Sequence, residues 1–552
     1  MKRNTSPRAR YHRTARLTCT TAFAVASVLA AAAQAAAPAE ELREIIVTGT
    51  SIRGVAPVGA NVITIDRAAI ESTGAQTMQQ ILASVPSVTG FGNAAQGGFG
   101  SADGAGTFAP TIHGLGASAS NSTLVLIDGR RLPLSGINHT LADPSVIAPL
   151  AIERVEVLSE GASSVYGSDA TAGVLNFITR RRFKGFEATA QGTTGDSYSS
   201  YNAGALWGDT WDGGSVLASY NYSNRSNLGN ADRDFTRADQ RYRGGGNFAN
   251  FNCGPATMQG LSTNAAQANN VFAFPYNGAA IPVGTGQSGI CDSAQNADLL
   301  PQSERHNMLV KFEKNVSDEL TLTADVVFSR QTIDTQDSRG SVSLVNVWGT
   351  GAPTTVQNNP FFDGGSSGLT AGRINFNGDE LLGPGAHTSA GAESFFASFG
   401  AEYKLPGDWV GTLGFTSGKD DSYQRRFGAL CSSCAILALN GTTLTSGSAT
   451  TPSAPGSSTI VLNTPLTAAN ALDIWRPRAT NRTSQAVLQQ LVDSDQVFDA
   501  HQTMRDIVLK FDGPLFGLPG GDVRAAVGAE RIAYDMKQEV QRAGTTGPAS
   551  RN

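Results

Sequence analysis

The chain has 552 residues, 40% of them apolar and only 16% charged, with a formal net charge of −5. That length accommodates more than one domain, and the negative balance speaks against nucleic acid as a partner. Mean hydropathy is −0.15 and no mature stretch approaches the ~20 apolar residues of a spanning helix, whereas a membrane β-barrel, whose strands alternate, fits these values.

Residues 1–35 read as an export signal. Lys2, Arg3, Arg8, Arg10, Arg13 and Arg16 precede an apolar run from Leu17 to Ala33, and Ala33-Gln34-Ala35 offers a cleavage site. A polar lead follows, then Glu44-Ile45-Ile46-Val47-Thr48-Gly49. Such a β-prone run near a chain end suits pairing with another protein's sheet edge, or is a strand of the adjacent domain. Val62 to Ile65 is a strand, and Asp66 caps a short helix ending near Gly74. Thr77 and Gln80 form a capping box before Met78, Ile81, Leu82 and Val85, one buried stripe that Pro86 stops. Phe91 to Gly106 is a glycine-rich loop, and Thr111-Ile112-His113-Gly114-Leu115-Gly116 comes next.

Leu124 to Ile127 runs as a strand into Asp128-Gly129, the strongest local hairpin signal. Asp143-Pro144 reads as a cap and first helical position. Ile152 to Leu158 is a strand carrying Glu153, Arg154 and Glu156, three charges that are costly to bury unless paired. Gly161 breaks it, Ala162 to Tyr166 make one helical turn, and Gly167 is placed to end that turn in a left-handed conformation. Gly173 then opens a strand to Thr179.

Ile-Glu-Arg-Val-Glu-Val at 152–157, the Tyr166-Gly167 pair and Gly173 to Thr179 together resemble the end of the plug domain of TonB-dependent outer-membrane receptors. The turn departs from that family's pattern: Ser159-Glu160-Gly161 stands where Arg-Gly-Pro is common, and Ala172-Gly173 replaces a glycine pair. The resemblance extends from about residue 45 to 180. It implies that Glu44–Gly49 is a TonB box, docking as an added strand on TonB in the periplasm. The box starts within about ten residues of the cleavage point, which implies transport without a signalling domain. His113 stands where the family has an arginine, so a lock of His113 with Glu153, Arg154 and Glu156 is a candidate. A histidine there carries charge only when its pKa is raised.

From residue 186 the period becomes two. Leu320, Leu322, Ala324, Val326 and Phe328 alternate with polar neighbours, as do Val216, Ala218, Tyr220 and Tyr222, and Trp409, Gly411, Leu413 and Phe415. Nine strands are predicted near 186–194, 199–208, 213–224, 304–314, 319–330, 394–405, 408–422, 503–512 and 521–535. Short turns alternate with polar connections of tens of residues near 225–303, 331–393 and 423–502, the asymmetry of outer-membrane barrels. Nine strands would close at a diameter of only ~18 Å, too narrow for a body of ~35 Å. The fold class expected is therefore an α+β plug domain followed by an incomplete antiparallel transmembrane β-barrel, about nine of the 22 strands that the resemblance implies. The organisation expected is signal peptide 1–35, box segment 36–49, plug 50–185 and partial barrel 186–552, with the chain read as the N-terminal part of a receptor.

Four cysteines follow the signal, and proximity pairs Cys253 with Cys291 and Cys431 with Cys434. Cys-Ser-Ser-Cys also has redox and zinc readings. His113, His139, His306, His387 and His501 sit in no metal or triad spacing, so no catalytic residue, metal or cofactor is assigned and no enzyme is expected. The resemblance implies active, TonB-dependent uptake of a scarce solute across the Gram-negative outer membrane by a monomer: an iron chelate such as a siderophore, cobalamin or an oligosaccharide. A surface ligand-binding protein, or a receptor fragment without transport, is the alternative.

Overall fold

A computed structural model describes residues 48–52, 61–89, 106–114, 122–137, 141–249, 256–260, 271–273, 292–351, 353–364, 369–447, 462–492, 495–519, 521–544 and 547–551. The export signal, Glu44 to Val47, Cys253, Cys291 and His139 lie outside the described residues.

The N-terminal body is built around a mixed five-stranded sheet. Its order is Val62–Ile65, Ile152–Leu158, Gly173–Thr179, Thr123–Ile127 and Arg130–Arg131, with Thr123–Ile127 parallel to Gly173–Thr179. The local signals read from the sequence are in place. Asp66 accepts the Ala69 N–H at 2.8 Å and caps helix Arg67–Thr73. Thr77 and Gln80 close their capping box on helix Met78–Leu82, and Met78, Ile81, Leu82 and Val85 are buried. Asp128 and Gly129 both take positive φ, 51° and 74°, between paired Ile127 and Arg130. That is the backbone a two-residue hairpin needs.

Two glycine positions differ in what they require. Gly167 has φ 84° and ψ −164°, so it is not in the expected left-handed helical region but in one open essentially to glycine alone. Gly173 has φ 142°, and a Cβ there would meet the Leu158 carbonyl at 2.3 Å. The second member of the family's glycine pair is thus indispensable here, while Ala172 fits, buried, in the place of the first.

The remaining residues form an antiparallel meander of ten strands. They are Gly185–Gly195, Tyr198–Trp211, Gly214–Arg225, Gln302–Asn315, Leu320–Asp337, Ala386–Leu405, Trp409–Phe427, Gln496–Leu518, Gly521–Gly544 and Gly547–Arg551. Nine correspond to the strands expected, and the sheet is open among the described residues. Its inner face is filled by the N-terminal body: Leu206, Leu217, Leu309, Val327 and Phe396 share one core with Ile81, Leu150 and Phe177.

The opposite face carries the alternating apolar residues. Leu320 to Phe328 and Phe395 to Leu405, stretches of nine and eleven residues, line it with every second side chain. At ~3.3 Å per residue and the usual ~40° tilt, this is an apolar belt roughly 25 Å tall. Cross-strand register then brings a polar row, Tyr222, His306, Arg330, Glu393, Asp421, His501 and Lys537. Several strands overrun the belt: Gln496–Leu518 has 23 residues and Gly521–Gly544 has 24.

The long connections are not only solvated loops. Ser341–Trp348, Ala371–Asn377, Thr257–Gly260 and Val271–Ala273 form a second antiparallel sheet. Helices Ser432–Asn440 and Gln485–Val492 pack on it around Met258, Val345, Phe376, Leu439, Ile474 and Trp475. Buried Asp473 accepts from Arg482 at 2.6 Å and Arg476 at 3.3 Å, and Arg482 lies over the Phe361 ring. Arg339, just past the Leu320–Asp337 strand, ties this cap down: its N–H reaches Asp379 at 2.9 Å and its guanidinium the Gly383 carbonyl at 2.6 Å.

Cys431 and Cys434 form a disulfide across the first turn of helix Ser432–Asn440. A closed loop of about four residues removes only about 2 kcal/mol of unfolded-chain entropy. Replacing both cysteines by serine is therefore expected to speed amide exchange in that helix and in Gln485–Val492 and leave the N-terminal body unchanged. Equal loss of protection in both places would sink the idea of a local staple.

Candidate functional site

Glu156 and Asn176 are register partners on adjacent strands, so their side chains emerge on one face. Both are buried. Their polar groups converge on Thr48, which with Gly49 ends the Glu44–Gly49 run. Thr48 donates its N–H to Glu156 Oε2 at 3.1 Å and its hydroxyl to the same oxygen at 2.5 Å. Asn176 Nδ2 donates to Thr48 Oγ1 at 3.0 Å, and the Gly49 N–H reaches the Tyr166 hydroxyl at 3.3 Å. Arg154 Nε closes the set on Glu156 Oε1 at 2.8 Å. Burial holds the Tyr166 phenol above its ordinary pKa, so it remains a neutral hydroxyl beside that carboxylate.

The expected lock is only partly assembled. Arg154 and Glu156 meet each other, and Glu153 is half-buried on the same strand. His113 does not join them. It sits at φ 66°, and its Nε2 lies 2.7 Å from the Ser159 carbonyl.

A second polar cluster holds the N-terminal body to the inner face of the large sheet. The Asp128 hairpin carboxylate accepts the Thr179 N–H at 2.9 Å and hydroxyl at 2.6 Å, and pairs with Lys311 Nζ at 2.5 Å. Lys311 is only 1% exposed and also reaches the Thr179 hydroxyl. Arg181 pairs with Asp325 at 3.3 Å and Arg182 with Glu313 at 2.6 Å. Arg131 bridges Asp169 at 2.6 Å and Glu530 at 3.0 Å. Arg130 donates to the Phe399 carbonyl at 3.0 Å, lying against Gly400, where a Cβ would come within 2.5 Å of it. Gln502 and Gln538 donate to the Gly136 and Ile137 carbonyls, each at 2.8 Å. Sequence reading missed these partners because they lie 38 to 401 residues apart.

Burial alone would raise the Asp128 carboxyl, but Lys311 and Arg181 outweigh it and hold it below its ordinary value of 3.8. The sign follows: this carboxylate's contribution to stability is full above that value and is lost as pH falls through the lower, folded one. Unfolding of the N-terminal body followed from pH 5 to pH 3 is expected to steepen below about pH 4. Asp128→Asn is expected to blunt that slope, and an unchanged slope counts against it.

Among the described residues, no group of three or more His, Cys, Asp or Glu is placed to hold a metal. Residues 55–174 match the sequence model of the TonB-dependent receptor plug domain. That stretch is thus a plug domain of the TonB-dependent receptor type, packed on a partial wall of antiparallel strands. The chain is similar to the siderophore receptor PirA from Acinetobacter baumannii (12% identity, 90% of this chain and 58% of that one, TM-score 0.36). It is also similar to the ferripyoverdine receptor of the outer membrane of Pseudomonas aeruginosa (11%, 90% and 46%, 0.42). A third is the alcaligin outer-membrane receptor FauA from Bordetella pertussis (11%, 91% and 52%, 0.41). The chain spans about half the length of these structures.

Proposed function

We propose that this chain works in TonB-dependent uptake of a scarce solute across the outer membrane of a Gram-negative bacterium, after export by its N-terminal signal. Glu44–Gly49 is the TonB box, and the observation that carries the reading is where its last two residues lie. Thr48 and Gly49 are fastened to the plug through Glu156, Asn176 and Tyr166. A β-prone run whose last residues are fastened there is withheld from pairing; once let go, it can add as a strand to a TonB sheet. The apolar belt supports a wall facing lipid, since its height matches a bilayer's hydrocarbon region.

The solute class follows from a direct test. Uptake of labelled ferric siderophore, cobalamin and oligosaccharide is compared in cells producing the chain with and without residues 44–49. Uptake of one solute that disappears with the deletion is the expected outcome; uptake undiminished by the deletion favours the surface-binding alternative.

A further inference from the structure

A cavity of about 500 Å³ opens on the outward face of the sheet, away from the plug. It straddles the upper border of the apolar belt. Tyr220, Met308 and Phe328 are cross-strand neighbours in the last apolar row, and His306 and Arg330 are neighbours in the polar row above. The lower half of the cavity is therefore greasy and the upper half charged.

The charged half is built rather than incidental. The His306 ring is fixed at both nitrogens, with Nδ1 2.7 Å from the Tyr220 hydroxyl and Nε2 3.1 Å from Glu304. Its ring centroid lies 4.9 Å from that of Tyr222. Glu304 is thus engaged with His306. Arg330 is exposed and has no hydrogen bond or ion pair among the described residues, although Glu393 stands opposite it in the register. An unpaired guanidinium above an apolar floor matches an amphiphile with an anionic head, and its planar fork suits phosphate oxygens.

We propose that this cavity binds the headgroup of a phosphate-bearing membrane lipid, with the phosphate on Arg330 and an acyl chain along Met308 and Phe328. The proposal rests on the belt facing lipid. The commitment to a lipid, rather than a soluble anion, comes from continuity: the floor of the cavity is the top row of the belt itself.

The full chain in mild detergent is titrated with dioleoylphosphatidate in mixed micelles, with dioleoylglycerol of identical chains, and with inorganic phosphate. Phosphatidate is expected to bind at least about tenfold more tightly than dioleoylglycerol, and inorganic phosphate not to saturate the protein at millimolar concentration. Arg330→Gln is expected to weaken phosphatidate about tenfold, and Arg330→Lys by less. Equal affinity for the two lipids means an apolar slot only, saturable inorganic phosphate means an anion site only, and an unaffected Arg330→Gln removes the residue; each overturns the proposal. Circular dichroism of Arg330→Gln separates lost binding from lost folding. Cell fractionation separates the two readings: a chain absent from the outer membrane defeats the lipid-facing wall, whereas one present there without Arg330-dependent binding defeats only this site.

Discussion

Glu156→Ala is expected to raise the affinity of the full chain for the periplasmic domain of TonB by about tenfold to a hundredfold. The reason is the charge concentrated on one acceptor. Glu156 takes both polar hydrogens of Thr48, and a hydrogen bond to a charged group is worth about 1.5–3 kcal/mol. Removing that acceptor shifts the population in which the proposed TonB box is free, and apparent affinity follows the competent fraction. Asn176→Ala, which removes one neutral donor to Thr48 Oγ1, should give the same direction and a smaller effect. Isothermal titration with the purified domain reads both. If Glu156→Ala binds TonB as wild type does, the fastening at Thr48 does not govern access to the box.

Lys311→Met should have the largest effect on how the plug is seated. Lys311 is buried against Asp128, and breaking a buried pair by removing one partner costs about 3–5 kcal/mol because a charge is left uncompensated. The plug should then leave the wall at lower urea, seen as earlier protease cleavage within residues 61–179, while the strands keep their protection. The double variant Asp128→Asn with Lys311→Met should recover much of the loss, since no bare charge remains. A single variant as resistant as wild type would show that the pair does not hold the plug.

Much of this architecture was legible because its signals are local. Thr77 with Gln80, Asp128 with Gly129, and Asp66 before its helix each announce themselves within four residues, and each is built as read. The wall strands were legible wherever outward positions are apolar. Their upper ends were not: above Phe328 and Phe395 the outward positions become Arg330 and Glu393, so the alternation of greasy and polar stops while the hydrogen-bond ladder continues. The cap escaped notice because its core is assembled from widely separated segments, Ser341–Trp348, Ala371–Asn377 and Ser432–Asn440 among them, none long enough to carry a period alone. The candidate lock was half legible. Arg154 and Glu156 share a strand, but Thr48 lies 108 residues from Glu156, and only folding introduces them.

Asp128 occupies the corner of a hairpin, clasps Thr179 on a neighbouring strand, and meets an ammonium delivered by the wall. Those three duties cannot be completed at once by the plug by itself. Until the Gln302–Asn315 strand arrives, the corner has Thr179 and the Arg181 charge as partners but lacks its ammonium. The plug's seat is therefore complete only once that strand is in place, so one ammonium couples the finishing of the two bodies.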